Sequence, residues 1–356
     1  MTPFPGPVLV VGAGLLGTSV GLALRARGVD VLLTDVVEEN LRTASGLGAG
    51  RPAPEDAAPQ LVVVAVPPDH LATSIVAALT RTDAVVTDVG SVKGAPLAAV
   101  AAQVGSTALG RYVGGHPMAG SERSGPLAAS AVLFDGRPWA IAPHPASSAE
   151  AIALVTALAE ACGATPFTFT PEEHDEAVAR TSHLPHVVAA LVAGRLVEAP
   201  QQHLALSGQG VRDVTRIAAG DPRLWEQILT ANTSALAALL REVRDELDGV
   251  LGALESGSRP ALTAILDRGV AGTSVIPGKH GGPAVAETGV FVVVPDHPGE
   301  LARLFADVGK IGVNVEDVRI DHDPGRPVGL VELTVGTDRA EHLLAALAAR
   351  GWAGHR

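Results

Sequence analysis

The chain holds one cysteine, Cys162, in 356 residues, and three lysines against 23 arginines. A single cysteine excludes an intrachain disulfide framework and any cysteine-cluster metal site. Cys162 reads as a small core residue in a reducing compartment. Basic charge is scarce: Lys+Arg is 26 against Asp+Glu 38, a net charge of −12. That excludes general nucleic-acid binding and disfavours an anionic membrane surface. No apolar run reaches the roughly 18 residues of a membrane span. The segment Met1–Pro7 lacks a basic n-region and an apolar h-region, so a cytoplasmic protein is expected. Charged residues are only 18% and hydrophobic ones 47%, which argues for globular packing over disorder. At about 150 residues per domain the length predicts two or three domains. The lysine-poor, alanine- and glycine-rich composition reads as base-composition bias and points to no function.

The first 170 residues alternate short apolar runs with alanine-rich helical stretches. Strands are expected at Val8–Val11, Val29–Asp35, Leu61–Val66, Ala84–Asp88, Tyr112–Gly114, Trp139–Ala142 and Pro166–Thr170. Runs without alternation belong to strands buried on both faces, and strands alternating with helices predict a parallel, doubly wound α/β sheet. The pattern changes at Thr170-Pro171-Glu172-Glu173, a capping box with proline in the first turn. From there to about Gly257 the chain reads as helix. Asp221-Pro222 starts a helix with Leu224, Ile228, Leu236, Leu239, Leu240, Val243, Leu247, Val250, Leu251 and Leu254 spaced by threes and fours over about nine turns. A helix of that length needs a large surface to pack on. A second subunit in a symmetric homodimer supplies one; an internal bundle is the alternative. Gly269 to Pro283 reads as a linker. The remainder, β-α-β-β-α with a tail that can add a strand, predicts a ferredoxin-like α+β module. The expected domains are therefore 1–170, a helical domain over 171–270, a linker over 271–286, and a module over 287–356.

Val8–Val11 runs into Gly12-Ala13-Gly14-Leu15-Leu16-Gly17 and then a helix. This is G-x-G-x-x-G in strand–turn–helix context, the dinucleotide turn of a Rossmann-like domain. Gly12 permits the turn, Gly14 lets a pyrophosphate approach, and Gly17 lets the helix pack; the free N–H groups of the helix start face the phosphates. The next strand ends at Asp35, whose carboxylate suits ribose hydroxyls and repels a 2′-phosphate, so NAD is the expected cofactor. Leu15 and Leu16 open the helix at this site. Val66 and Pro67 follow another apolar strand at the same sheet edge and are expected along the ribose–nicotinamide half.

Two further segments follow strands: Asp88-Val89-Gly90-Ser91-Val92-Lys93-Gly94 and Gly114-Gly115-His116-Pro117-Met118-Ala119-Gly120-Ser121-Glu122. Both are expected as loops at the cofactor edge. A dehydrogenase needs an acceptor for the hydroxyl proton, and histidine titrates near neutrality, so His116 is the candidate base and Ser91 a candidate for orienting it.

These segments, with Ser182-His183-Leu184-Pro185-His186 and Gly208-Gln209-Gly210 running through Asp213-Val214-Thr215-Arg216 to Asp221-Pro222 and Trp225, resemble the prephenate/arogenate dehydrogenase family of tyrosine biosynthesis. The resemblance covers about residues 8–256. It implies an NAD-dependent oxidative decarboxylation that aromatises the ring, giving 4-hydroxyphenylpyruvate from prephenate. It further implies His116 as hydrogen-bond acceptor for the ring hydroxyl, Ser91 supporting it and the nicotinamide, and Arg216 holding a substrate carboxylate. Ser182, His183 and His186 are implied at the substrate pocket, and Ser121 and Glu122 as a polar gate. The segment Gly208–Arg212 departs from the family's glycine-phenylalanine pattern. His183 and His186 have no third ligand at suitable spacing, so no metal is expected.

Val294-Pro295-Asp296-His297-Pro298-Gly299-Glu300-Leu301 and Gly312-Val313-Asn314-Val315-Glu316 resemble an ACT domain over about residues 287–350. That resemblance implies an amino-acid effector, tyrosine, near Asp296, His297, Pro298 and Gly299; a purely oligomer-strengthening module is the alternative. Prephenate is preferred to arogenate as substrate, with arogenate left open because Glu122 is a candidate partner for its ammonium. A β-hydroxyacid dehydrogenase would need a lysine on the helical domain, and Thr170 to Arg268 contains none. A non-catalytic sensor of NAD and an amino acid is the alternative from another class.

Overall fold

The computed structural model describes residues 6–119, 124–276, 286–322 and 328–356. Two compact units emerge, Met1–Asp245 and Glu246–Arg356.

The first unit is built on an eight-stranded sheet. Its strands are β1 (Val8–Val11), β2 (Val31–Thr34), β3 (Arg51–Pro52), β4 (Leu61–Val64), β5 (Val85–Asp88), β6 (Tyr112–Pro117), β7 (Pro138–Ala142) and β8 (Thr165–Thr168). Their order is β3-β2-β1-β4-β5-β6-β7-β8. Every residue of β4 is buried, because helices cover both faces. Val63 belongs to the cluster around Val10, Val20 and Leu24 on one side, and Val62 and Val64 to the cluster around Leu71, Ile75 and Leu79 on the other. Each such aliphatic side chain contributes roughly 1.5–3 kcal/mol by leaving water. The uninterrupted apolar runs are the sequence trace of this double covering.

The sheet departs from the all-parallel expectation at one place. β6 and β7 pair antiparallel, with His116 opposite Ala140. Parallel neighbours need a crossover of a dozen or more residues, usually a helix. Among the described residues between these two strands there is only the short 3₁₀ turn Pro126–Ala128. The two-residue β3 is an addition that no apolar run announced.

Beyond β8, the capping box forms as expected: the Thr170 hydroxyl accepts from Glu173 N at 3.1 Å, and the Glu173 carboxylate accepts from Thr170 N at 2.8 Å. The nine-turn helix does not form as one piece. It breaks at Asn232 into Pro222–Ala231 and Thr233–Glu255. Asn232 is buried and its amide is spent on tertiary partners, which continuous apolar spacing cannot reveal. The helix Arg259–Ser274 runs through Gly269 and Gly272 into the stretch expected as a linker, of which residues 277–285 lie outside the described residues. The glycines cost helix propensity, but good helix formers precede them.

The second unit carries the end of the long helix, the helix Arg259–Ser274 and a four-stranded sheet. The ion pair Arg268–Glu246 (2.6 Å) lies within it. The sheet is antiparallel, ordered β10-β11-β9-β12, with β9 (Glu287–Pro295), β10 (Asp317–His322), β11 (Val328–Gly336) and β12 (Ala353–His355). Helices Glu300–Ile311 and Ala340–Ala348 cover one face through Leu304, Val308, Leu343 and Leu347, which pack with Val290, Val292, Val331 and Leu333. This is the ferredoxin-like arrangement, and the tail does supply a fourth strand. It fits an ACT-like module.

Candidate active site

The glycine turn joins β1 to the helix Leu15–Arg25. Gly12 has φ +100°, and a Cβ there would strike the Ala65 carbonyl, so only glycine fits. A Cβ at Gly14 would meet nothing, leaving the helix start open to a ligand. Gly17 abuts the Gly12 carbonyl. Leu15 and Leu16 are half-buried in the first helical turn. The Asp35 carboxylate, just beyond β2, accepts from Ala13 N (2.6 Å) and Val37 N (2.7 Å). A carboxylate has about four acceptor sites, so capacity remains for ribose hydroxyls. Val66 and Pro67 follow β4 at the same edge, ahead of the helix Pro68–Arg81.

Next along the edge, β5 ends in the buried Asp88. One oxygen of Asp88 accepts from Lys93 Nζ and from Gly90 N (2.7 Å), the other from the Tyr112 hydroxyl (2.8 Å). Lys93 is 1% exposed, and its ammonium also donates to Gly115 O at 2.6 Å. The phenol of Tyr112 is held well above its ordinary pKa, first by burial and then by Asp88. Gly115 is obligatory here as well: a Cβ would lie 2.6 Å from the Asp88 carbonyl.

His116 lies inside β6, where a loop was expected. Its Nδ1 is 2.9 Å from His174 Nε2. His174 Nδ1 in turn lies 2.8 Å from Asp175 Oδ1. The two Asp175 oxygens accept from Lys93 N and Gly94 N, both at 2.8 Å. Burial holds His116 well below the ordinary histidine pKa, with His174, Lys93 and His183 adding to the effect. His174 is lowered too, chiefly by burial, with Asp175 opposing. Ser91, expected as the orienting partner of His116, lines a cavity of about 170 Å³ with Leu71, Val92, Pro96 and Ala231. Among the described residues, the hydrogen-bond partner of His116 is His174.

The segment 182–186 is locally unusual. A π-helical turn spans Ala179–His183 and hands over to the helix Leu184–Gly194. Pro185 cannot donate an i→i−4 bond, and widening the preceding turn accommodates it. Ser182 is half-buried and both histidines are buried. His183 Nδ1 lies 3.2 Å from the Asn232 amide, whose Nδ2 also donates to Asp175 O (2.8 Å). Burial brings the His183 pKa down to about 4. The two imidazoles meet at Trp225: His186 stacks on it at 3.6 Å and 10°, and His183 meets it edge-on at 6.2 Å. Among the described residues His186 Nδ1 has no hydrogen-bond partner. Burial lowers the His186 pKa, with the Ile217 backbone opposing.

Arg216 closes the helix Gln209–Arg216, which packs on the helix bearing His186; its side chain is exposed. Ser121 and Glu122, the expected gate, lie outside the described residues. Asp296, His297, Pro298 and Gly299 form an exposed loop from β9 into the next helix, with Gly299 at φ +95°. Cys162 is buried, and its thiol is pushed up to about 12. Among the described residues no cluster has the makings of a metal site, and no helix is long and apolar enough to cross a membrane.

Several of the most heavily bonded groups were not singled out from sequence: Asp88, Lys93, Tyr112, His174, Asp175 and Asn232. The signals were present but faint. Lys93 is one of three lysines, set among apolar residues, and His174-Asp175 directly follows the capping box.

Comparison with known proteins gives a consistent result. Residues 20–167 match the family model of the prephenate dehydrogenase nucleotide-binding domain, and residues 170–268 that of the prephenate dehydrogenase dimerization domain. A probable prephenate dehydrogenase, NovF of Streptomyces niveus, is 38% identical over 97% of this chain and 98% of its own length. The crystal structure of prephenate dehydrogenase from A. aeolicus with hydroxyphenyl propionate and NAD+ matches at TM-score 0.68 and 28% identity, covering 75% of this chain and 96% of that one. Synechocystis arogenate dehydrogenase matches at TM-score 0.64 and 26% identity, over 75% of this chain and 98% of that one.

Proposed function

This chain belongs to the prephenate dehydrogenase family, and from that premise we propose that it carries out the NAD-dependent oxidative decarboxylation of prephenate to 4-hydroxyphenylpyruvate, in tyrosine biosynthesis in the cytoplasm. The observation that carries the reading is His116: a buried imidazole, neutral near pH 7, next to the sheet edge where the glycine turn opens. The open space at Gly14 and the Asp35 carboxylate fit a dinucleotide. NAD, when bound, supplies the hydride acceptor.

The chain's own part is modest because aromatisation makes loss of carbon dioxide strongly downhill. His116 Nε2 accepts the hydrogen bond, then the proton, of the ring hydroxyl as that carbon becomes a carbonyl on the way to the phenol. Burial keeps the imidazole unprotonated and so able to accept. Ser91, at its cavity, faces the region between the nucleotide-binding and helical parts and supports the nicotinamide side. Ser182, His183 and His186, packed around Trp225, shape the substrate pocket. Arg216 anchors a substrate carboxylate through its planar fork, with Ser121 and Glu122 as gate. Arg216→Ala should raise KM for prephenate by roughly 10- to 100-fold, the loss of one charge-assisted contact, while kcat changes little. An unchanged KM removes it from the pocket.

The helical part supplies a homodimer interface: Leu247, Leu251, Leu254 and Leu266 are all more than half exposed in the single chain. The C-terminal module binds tyrosine at Asp296–Gly299 and lowers activity. The test is appearance of reduced cofactor by its ultraviolet absorbance, with prephenate or arogenate, NAD or NADP, with and without tyrosine. Turnover of prephenate with NAD, slowed by tyrosine, is the expected result. Preference for arogenate moves the assignment to arogenate dehydrogenase. Silence with both, in protein that still binds NAD, moves it to a non-catalytic sensor.

A further inference from the structure

We propose that Asp175 and His174 form a positioning relay that fixes the tautomer of His116 and, through Asp175, ties the helical domain to the turn after β5. The inference rests on the reading of His116 as proton acceptor.

The argument is one of donor counting. An ionised carboxylate only accepts, so the 2.8 Å contact between His174 Nδ1 and Asp175 Oδ1 requires the proton on His174 Nδ1. His174 is held below the usual histidine range by burial, so near pH 7 it is neutral and its Nε2 is a bare acceptor. His116 Nδ1, 2.9 Å away, must then be the donor. A neutral His116 with its proton on Nδ1 has its lone pair on Nε2, the atom left for a substrate hydroxyl. Two steps from a carboxylate thus decide which nitrogen of His116 is basic. When His116 takes a proton, Asp175 is the negative charge at the far end of the chain, and no atom need move.

Asp175 is itself over-determined. It accepts from the backbone N–H groups of Lys93 and Gly94, at the start of the helix Gly94–Ala101, while Asn232 Nδ2 donates to its backbone carbonyl. One residue therefore links the turn after β5, the first helix of the helical domain and the break between the helices Pro222–Ala231 and Thr233–Glu255. The same carboxylate that orients the base sets the helical domain's register against the cofactor edge.

Among the described residues the ionisable surroundings are few. His116 faces His174, Lys93 and His183. His174 faces Asp175, Lys93 and Asp88, and His183 faces Asp175, His174 and His186. Tyr112 senses Asp88 and Asp175 and is held in its neutral form. Lys93 is matched by Asp88, which among the described residues leaves Asp175 as the nearby negative charge that favours a proton on the histidine pair.

Asp175→Asn in the full chain tests the relay. Removing the charge makes a protonated His116 less favourable, so the acid limb of kcat should move to lower pH by about one unit. The limiting kcat should fall about 100-fold or more, as when a triad carboxylate no longer enforces a tautomer. KM for prephenate and affinity for NAD should change less than about threefold. A fall in kcat with an unmoved acid limb, or a wild-type profile, overturns the relay.

A second readout needs no turnover. In ¹⁵N-histidine-labelled wild-type protein, the resonance lost in His116→Asn should show the Nδ1–H tautomer. Finding the Nε2–H tautomer overturns the proposal even if Asp175→Asn does not fold. Failure of the functional reading looks different: wild type is then silent with prephenate, while the tautomer measurement still reports on the relay.

Discussion

His116→Asn is expected to lower kcat with prephenate by roughly 100- to 10,000-fold, the range for losing a positioned proton acceptor, while NAD binds as before. Asparagine preserves hydrogen bonding with His174 but offers no basic nitrogen. The affinity for NAD should hold because the groups that shape its site, Gly12, Gly14, Gly17 and Asp35, lie on β1, the first helix and the end of β2, apart from β6. Steady-state rates beside a fluorescence titration of NAD separate the two effects. A near-wild-type rate rejects His116 as the acceptor. Loss of NAD binding as well shows that β6 was disrupted rather than the chemistry.

Lys93→Ala should be the most destabilising single change in the site, by about 3–5 kcal/mol. Lys93 and Asp88 are both buried and paired, and Lys93 also holds Gly115 O. Truncation leaves the Asp88 carboxylate without its counter-charge, although Gly90 N and the Tyr112 hydroxyl still donate to it. It also frees the Gly115 carbonyl one residue from His116. Urea unfolding read by circular dichroism gives the magnitude. The double replacement Asp88→Asn with Lys93→Met should recover part of the loss, because neither buried charge is then stranded. A single variant within 1 kcal/mol of wild type, about the value of an exposed pair, contradicts the account of this pair as a desolvated one.

What was legible in the sequence follows from local rules. The glycine turn reads from the chain because a positive φ and contact with the Ala65 carbonyl admit only glycine. The capping box at Thr170 and Glu173 reads for a similar reason: both partners lie within one helical turn. Strands buried on both faces declare themselves as Val- and Leu-rich runs, so the sheet core and the ferredoxin-like module were accessible. His116 stood out by residue type and setting, although its placement in a strand did not.

The misplacements share one physical cause. The antiparallel β6–β7 pair, the break at Asn232 and the partner of His116 each depend on what lies across space rather than along the chain. Apolar spacing runs unbroken through Asn232, yet the amide is taken by Asp175 O and His183, and the helix divides there. The lysine count could not say that Lys93 is buried against Asp88. Ser91 is near His116 in motif order, whereas His174 reaches it only once the helical domain docks at the sheet edge. The sequence alone determined most of the elements and the chemical types present, because those obey short-range sterics and hydrophobic periodicity. Tertiary structure decided which donor meets which acceptor, and hence which nitrogen of His116 is basic, because burial makes unpaired polar groups costly and the pairing is settled only when both sides have lost their water.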